Sequence, residues 1–408
     1  MQSFGLLGER LTHSFSPLIH KSLGEYAYPL YDIPPDGLDA FMREKRFDGM
    51  NVTIPYKQKV LPYCSELSEE ARLTGSVNTI VKLPDGRLHG HNTDWHGFRA
   101  ALEWGGIDPR GQKVLVLGGG GSAQTVCAVL REMGAALVVT ISRGGENHYG
   151  NIARHFDAKI IVNTTPLGMY PNNGSSALSL DGFHALTGVV DLIYNPARTK
   201  LLLDAGRLGV PHVGGLRMLV AQAEAASRLF LGCPPRPELV HTLYTMILRK
   251  TRNIALIGMP GCGKSTVGRA LARAMDRPFA DIDKRIEEFA GKSIPDIFAN
   301  DGEDAFRCME TRVLGEESRK SGMVIAAGGG VVTRPENLDL LRQNSLIVYL
   351  KSELSRLATG GRPLSASVGV EALAAQRLPL YEAWSDCAVE VGANPAETVQ
   401  RIQEETEQ

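Results

Sequence analysis

An α/β fold with parallel sheets is predicted for nearly the whole chain, and three observations predict it. Strand-like apolar runs alternate with helical patterns almost throughout, which is the rhythm of crossover-connected strands. The 408 residues exceed what one hydrophobic core usually supports, so two or three domains are expected. Two glycine-rich turns, one at 118–121 and one at 258–263, each follow a short apolar run and precede a helical stretch. A strand that passes through glycines into a helix leaves backbone N–H groups bare at the helix start, where phosphate binds.

Taken in order, residues 1–99 carry their own strand–helix rhythm and a dense set of polar motifs. The stretch 100–215 reads as one nucleotide-binding unit of Rossmann type. Its strands are expected at 113–117, 137–142, 160–163 and 189–192, with a helix over 122–132 after the first. Helices are expected at 216–231 and 237–250, the second opening on a proline, which lacks an N–H that would go unbonded there anyway. Cys233-Pro234-Pro235-Arg236-Pro237 is a stiff connector between them. A new strand begins at Asn253, so the linker into the last domain, 252–408, is very short.

Composition narrows the function classes. The apolar fraction of 43% and charged fraction of 22% are ordinary for globular protein. A net charge of −1 argues against nucleic acid or a membrane surface as partner. The six cysteines are scattered without zinc spacing, which argues against a disulfide framework or structural metal. With no apolar stretch of about 18 residues and no signal-like start, a cytoplasmic protein is expected.

The second glycine turn is a complete Walker A loop, Gly258-Met259-Pro260-Gly261-Cys262-Gly263-Lys264-Ser265-Thr266, after the apolar 254–257. Gly258, Gly261, Cys262, Gly263 and Thr266 are assigned to wrapping the phosphates of ATP. Lys264 would neutralise them, and the Ser265 hydroxyl would bind Mg²⁺. Downstream, Asp281 and Asp283 end a second strand, and their spacing is expected to place both carboxylates on one side of it.

The first turn, Gly118-Gly119-Gly120-Gly121-Ser122-Ala123, resembles a dinucleotide fingerprint, although four glycines also make an ordinary flexible turn. Gly118, Gly120, Gly121, Ser122 and Ala123 are assigned to the pyrophosphate. About 20 residues on, where an acidic residue would hold the ribose of NAD, the chain reads Ser142-Arg143-Gly144. The Arg143 cation suits the 2′-phosphate of NADP; an exposed loop arginine is the plainer reading and stays open.

Three further motifs follow the Walker loop. They are the run 301–310 containing Arg307 and Glu310, the run 326–331 containing Gly328, Gly329 and Gly330, and Arg377-Leu378-Pro379-Leu380-Tyr381. With Gly361-Arg362-Pro363-Leu364, the set resembles shikimate kinase over about 252–405. That resemblance implies that Asp283 holds the shikimate hydroxyl that attacks ATP. It implies that Arg307 and Arg377 grip the carboxylate, for which a planar fork is suited. Gly328, Gly329 and Gly330 let backbone approach the ring, Arg362 lies in a lid over the phosphates, and Asp281 helps arrange Mg²⁺. Singly, Asp281 is a solvated strand end and Arg307 a helix-surface charge; the combination favours the site. Ser365 and a short Ala/Ser/Gly/Val stretch after Leu364 depart from the family, so no other lid contact is assigned.

Residues 1–250 resemble shikimate dehydrogenase. The resemblance rests on His13-Ser14-Phe15-Ser16-Pro17, on the run 51–57 ending in Lys57, on Gly75-Ser76-Val77-Asn78-Thr79, and on His91-Asn92-Thr93-Asp94-Trp95-His96-Gly97. It continues in the runs 163–169, 191–194 and 215–222. By resemblance, Ser14, Ser16, Thr53, Asn78, Asn92, Tyr194 and Gln222 meet substrate, and Thr164, Met169 and Gly215 join Ser142 and Arg143 on the NADP side. Ser14 and Ser16, two apart on an extended loop, can present two hydroxyls to one carboxylate. Lys57 and Asp94 are the catalytic pair: hydride reduction makes an alkoxide, and a lysine held by a carboxylate can protonate it. In isolation Lys57 would be a surface lysine and Asp94 a helix N-cap. Relatives using NADP often have Asn-Arg-Thr and a further arginine where this chain has Ser142-Arg143-Gly144, so cofactor choice is looser. His13, His91 and His96 receive no role.

The expected activities are reduction of 3-dehydroshikimate to shikimate with NADP(H) and its phosphorylation with Mg·ATP. Two alternatives stand beside this: a first half that prefers quinate and NAD, and a non-catalytic sensor of these metabolites. Monomer and homodimer are both open.

Overall fold

The computed structural model describes residues 2–11, 14–357 and 369–407. Arg362, and with it the assigned lid contact, lies outside the described residues, as does His13. The chain divides into two compact units, Met1–Ile247 and Leu248–Gln408. Among the described residues no helix is long and apolar enough to cross a membrane.

The first unit opens with β1 (Leu6–Gly8), α1 (Ser16–Lys21), β2 (Leu30–Asp32), α2 (Leu38–Glu44), β3 (Gly49–Val52), β4 (Glu66–Leu67), α3 (Glu69–Thr74), β5 (Thr79–Lys82), β6 (Leu88–His91) and α4 (Asp94–Trp104). Their sheet has the order β2-β1-β3-β5-β6-β4. It is mixed rather than parallel, because β5 runs antiparallel to both β3 and β6. For β5 and β6 the cause is local: Leu83 and Arg87 close a short turn around Gly86, whose φ is 81°, and strands joined by so short a turn must run antiparallel.

A second sheet follows from β7 (Lys113–Leu117), α5 (Gly121–Glu132), β8 (Leu137–Ile141), β9 (Ile160–Asn163), β10 (Gly188–Asp191), α6 (Lys200–Arg207) and β11 (His212–Gly214). Its order is β11-β10-β9-β7-β8, and every pairing is parallel. Val114 to Leu117 are fully buried, as strands covered on both faces require. The chain leaves β7 towards β8 and then crosses back to β9, so a crevice opens between the C-terminal ends of β7 and β9. The helices α7 (Gly215–Leu231) and α8 (Pro237–Thr251) return to the N-terminal elements, with α7 lying along α4.

The second unit comprises β12 (Asn253–Ile257), α9 (Lys264–Ala274), β13 (Phe279–Asp281), α10 (Ile282–Ala290), α11 (Ile294–Asn300), α12 (Gly302–Ser318), β14 (Val324–Ala326), α13 (Glu336–Arg342), β15 (Ser345–Lys351), α14 (Val370–Trp384), β16 (Cys387–Glu390) and α15 (Pro395–Glu407). Its sheet, β13-β14-β12-β15-β16, is wholly parallel, with β12 and its glycine loop at the centre.

Two local expectations are corrected. Asp281 and Asp283 do not share a strand face, because the strand stops at Asp281, which caps α10, and Asp283 lies in that helix's first turn. Ser14 and Ser16 do not sit on an extended loop. Ser16 is the first residue of α1 and its N–H donates to Ser14 Oγ at 3.2 Å, so a turn, not strand alternation, brings the hydroxyls together.

Candidate active sites

The floor of the first site is built where β3 and β6 end. Lys57 follows β3, and its main-chain carbonyl accepts the Val77 N–H at 2.8 Å. Asp94 is the first residue of α4, whose N-cap is Thr93. Lys57 Nζ donates to Asp94 Oδ2 at 2.6 Å, with side chains only 18% and 12% exposed. An ion pair this sheltered is held more firmly than a solvated one.

Asn78 beside it is oriented without ambiguity. The Thr93 backbone N–H, which can only donate, points at Asn78 Oδ1 at 2.7 Å, and the Thr79 and Thr93 hydroxyls lie 3.1 Å from the same oxygen. Gln222 arrives from α7, its Oε1 3.4 Å from the Thr93 hydroxyl. This proximity depends on Gly97, since a Cβ there would lie 2.7 Å from the Met218 carbonyl and 2.9 Å from Gln222 Cβ. The Phe15 ring, between the two serines in sequence, packs 5.3 Å from the Tyr194 ring. Burial pushes the Tyr194 phenol up. The methyl of Thr53 packs on Gly8, where a Cβ would approach to 2.6 Å.

Asn92 stands apart from this group. Its Nδ2 is spent on Thr74, Ser76 and Thr125, leaving a buried Oδ1 with no partner among the described residues. Asn51, which received no role from the sequence, accepts from Tyr28 at 2.7 Å and donates to Thr79 at 3.0 Å, bracing Asn78 from behind.

The cofactor side lies at the mouth of the crevice. Gly118 has φ 110°, and a Cβ there would lie 2.7 Å from Thr164 Oγ1, so the ends of β7 and β9 meet only through a glycine. Gly120 caps α5 with no side-chain bond, and a Cβ on Gly120 or Gly121 would meet nothing within 4 Å. The first-turn amides, through Ser122 and Ala123, are thus unobstructed donors. Arg143 is exposed, two residues beyond Ile141, whose carbonyl accepts the Gly118 N–H at 2.9 Å. Met169 is also exposed. Gly215 is required by packing, because a Cβ would fall 2.0 Å from the Leu192 carbonyl. Beneath the loops, Asp191 is fully buried, and burial pushes its carboxyl up to about 6. Thr199 Oγ1 at 2.6 Å, the Ile193 N–H at 3.0 Å and Asn163 Nδ2 at 3.0 Å all donate to it.

In the second unit the Walker loop depends on glycine at three points, with φ of 147°, 85° and 92° at Gly258, Gly261 and Gly263. Lys264 opens α9 and its Nζ donates to the Gly258 and Met259 carbonyls at 2.8 and 2.9 Å. Ser265 and Thr266 occupy the first turn of the same helix.

The three glycines after β14 form the hub of the neighbouring pocket. A Cβ on Gly328 would lie 2.2 Å from Glu310 Oε1 and 2.9 Å from Asp283 Oδ1. On Gly329 it would strike Pro260 of the Walker loop at 2.6 Å, and on Gly330 the Arg307 guanidinium at 2.1 Å. Arg307 Nη1 donates to Glu310 Oε2 at 2.7 Å, while Nε and Nη2 donate to Glu303 Oε1 at 3.3 and 3.1 Å. Burial pulls the Arg307 guanidinium down, but Glu310 and Glu303 outweigh it and hold it above its ordinary value. Burial pushes the Glu310 carboxyl up. Arg377 Nη1 and the Tyr381 hydroxyl both donate to the Gly329 carbonyl. Arg377 Nε and Glu310 Oε1 are buried with no partner among the described residues, a spare donor and a spare acceptor.

Residues 260–407 match the family model for shikimate kinase, and residues 6–80 that for the shikimate dehydrogenase substrate binding domain. The NADP(+)-dependent shikimate dehydrogenase of Clostridium beijerinckii is 34% identical over 265 residues, covering 60% of this chain and 98% of that protein. The chain belongs to the shikimate dehydrogenase family. Its C-terminal domain is a shikimate kinase domain, and the whole is a bifunctional fusion of an oxidoreductase and a phosphotransferase. Among solved structures, the Thermus thermophilus shikimate 5-dehydrogenase in complex with NADP(H) and shikimate is 33% identical. It covers 60% of this chain and 99% of its own, with a TM-score of 0.55. A quinate dehydrogenase from Corynebacterium glutamicum in complex with NAD is 29% identical, with the same coverage of this chain, 98% of its own and a TM-score of 0.55.

Both cofactor sites fit their groups. The open amides of α5 suit a pyrophosphate, and the left-handed glycines and buried Lys264 of the Walker loop suit the ATP phosphates. No group of three or more His, Cys, Asp or Glu among the described residues is arranged to hold a metal. Mg²⁺ needs none, since it takes one or two protein ligands together with substrate phosphates.

Proposed function

We propose that the first half reduces 3-dehydroshikimate to shikimate and that the second phosphorylates the 3-hydroxyl of that product. The observation that carries the first step is the sheltered Lys57–Asp94 pair beside a single fixed face of Asn78. NADPH supplies hydride to the substrate carbonyl. Lys57, held in place by Asp94, gives a proton to the oxygen as it becomes an alkoxide. Ser14, Ser16 and Tyr194 take the carboxylate end; Thr53, Asn78 and Gln222 take the ring, with Asn92, whose Oδ1 is buried, as a polar neighbour behind them. Ser142 and Arg143 meet the ribose phosphate, and Thr164, Met169 and Gly215 flank the nicotinamide end.

In the kinase half Asp283 accepts the hydrogen bond of the attacking hydroxyl, and Arg307 and Arg377 hold the carboxylate over Gly328, Gly329 and Gly330. Lys264 neutralises the phosphates and Ser265 and Asp281 hold Mg²⁺. We assign 1–99 with helices 216–250 to the dehydrogenase substrate, 100–215 to its cofactor, and 252–408 to the kinase. Lys57→Ala should lower the dehydrogenase rate by about 10²- to 10⁴-fold and spare the kinase. Lys264→Ala should do the reverse. A purified chain with neither activity would make it a sensor instead.

One observation favours a second reading of cofactor use: Arg143 stands exposed with no second arginine close behind it. Measuring kcat/KM for shikimate and quinate, each with NADP and NAD, decides. A preference for quinate with NAD overturns the first assignment.

A further inference from the structure

Arg307 is engaged on two sides. Its Nη1 is bound to Glu310, three residues on in α12, and its Nε/Nη2 edge to Glu303, four residues back. That edge is one of the two on which a guanidinium takes a carboxylate through paired N–H groups. The two glutamates differ sharply in their freedom. Glu310 is fully buried against Gly328, whereas the Glu303 side chain is 48% exposed at the start of the helix. Only Glu303 can retreat into water without leaving a buried charge behind.

Charge adds to the geometry. Around Gly328–Gly330, Arg307 and Arg377 face the carboxyl groups of Glu303, Glu310 and Asp283. Among the described residues there, a substrate carboxylate would be a fourth acid beside two cations. The pocket accommodates it most easily by releasing one acid.

We propose that Glu303 is an internal stand-in for the substrate carboxylate: it holds the Nε/Nη2 edge of Arg307 until that carboxylate takes it. The inference rests on the reading of Arg307 as a carboxylate-binding residue. Glu310 keeps the guanidinium in place during the exchange, and Glu303 keeps it from being left half paired. Glu303 therefore weakens binding of every carboxylate-bearing substrate at this site.

The test uses the full chain. In Glu303→Gln the KM of the kinase for shikimate should fall about threefold to fivefold, the range for ion pairs this exposed. The KM for ATP should stay within a factor of about two. The gain should vanish with an analogue whose carboxylate is reduced to a primary alcohol. A KM for shikimate that stays constant or rises overturns the proposal; a rise would make Glu303 a support that holds Arg307 in position. Arg307→Ala separates the two levels of the argument. If it leaves the KM for shikimate unchanged, the carboxylate reading of Arg307 itself fails. If it raises that KM while Glu303→Gln does not lower it, only the stand-in role fails.

Discussion

His20 is a buried imidazole with a measurable consequence for pH. It is stacked on Tyr28 at 3.8 Å, and its Nδ1 lies 2.7 Å from the Tyr26 hydroxyl. Burial lowers it from 6.5 to about 3. The unfolded chain therefore binds a proton below 6.5 that the folded chain refuses until about 3. The associated stability is present above 6.5 and is lost as pH falls through that window, by up to about 1.4 kcal/mol per pH unit. Asp191 works in the opposite direction: its carboxyl is raised from 3.8 to about 6, so its contribution is present below 3.8 and lost as pH rises through about 6. His20→Gln isolates the first term. In the unfolding transition that NADP displaces, the variant should be less stable than the parent at pH 7, and the gap should narrow steadily towards pH 4.5. A gap independent of pH refutes this. At the same scale, Lys57 and Asp94 were singled out only through the resemblance of the motifs around them, since each alone reads as an ordinary residue, and the fold brings the two to 2.6 Å. Glu310 was not, because a glutamate three residues after an arginine on a helix reads as an ordinary surface pair. Only the fold reveals that its carboxylate is wholly buried over Gly328.

The glycine turns were legible at the level of elements because strand, turn and helix are contiguous there and the turn chemistry is local. The run 281–283 misled, since strand alternation was applied to residues where a helix had already begun. The α4–α7 contact could not be read at all, because it joins residues more than a hundred positions apart. It also suggests the sharpest packing test. In Gly97→Ala the new methyl meets the Met218 carbonyl at 2.7 Å, and a backbone atom cannot rotate away. Helix α4 must move off α7 at a cost of about 1–3 kcal/mol, carrying Asp94 away from Gln222. The dehydrogenase kcat should fall several-fold while kinase kinetics stay unchanged. An unaltered dehydrogenase with parental stability would show that the helices yield elsewhere.

Each compact unit of the molecule has its own apolar core, one of them confined to residues 254–402. Ligands should therefore stabilise separately. NADP at about 100 times its Kd should raise one calorimetric transition by about 2.7 kcal/mol, and ATP with shikimate the other. A single transition that answers to all ligands would contradict this. Within the kinase transition the three-glycine hub adds something that neither pocket has alone. Gly329 abuts Pro260 of the Walker loop on one side, and its carbonyl holds Arg377 and Tyr381 on the other. One peptide thus belongs to the nucleotide's cradle and to the acceptor's. An adjustment of the loop around ATP would reach the group that holds Arg377, so the two ligands are expected to bind interdependently. By linkage, any factor by which ATP changes affinity for shikimate must equal the factor by which shikimate changes affinity for ATP.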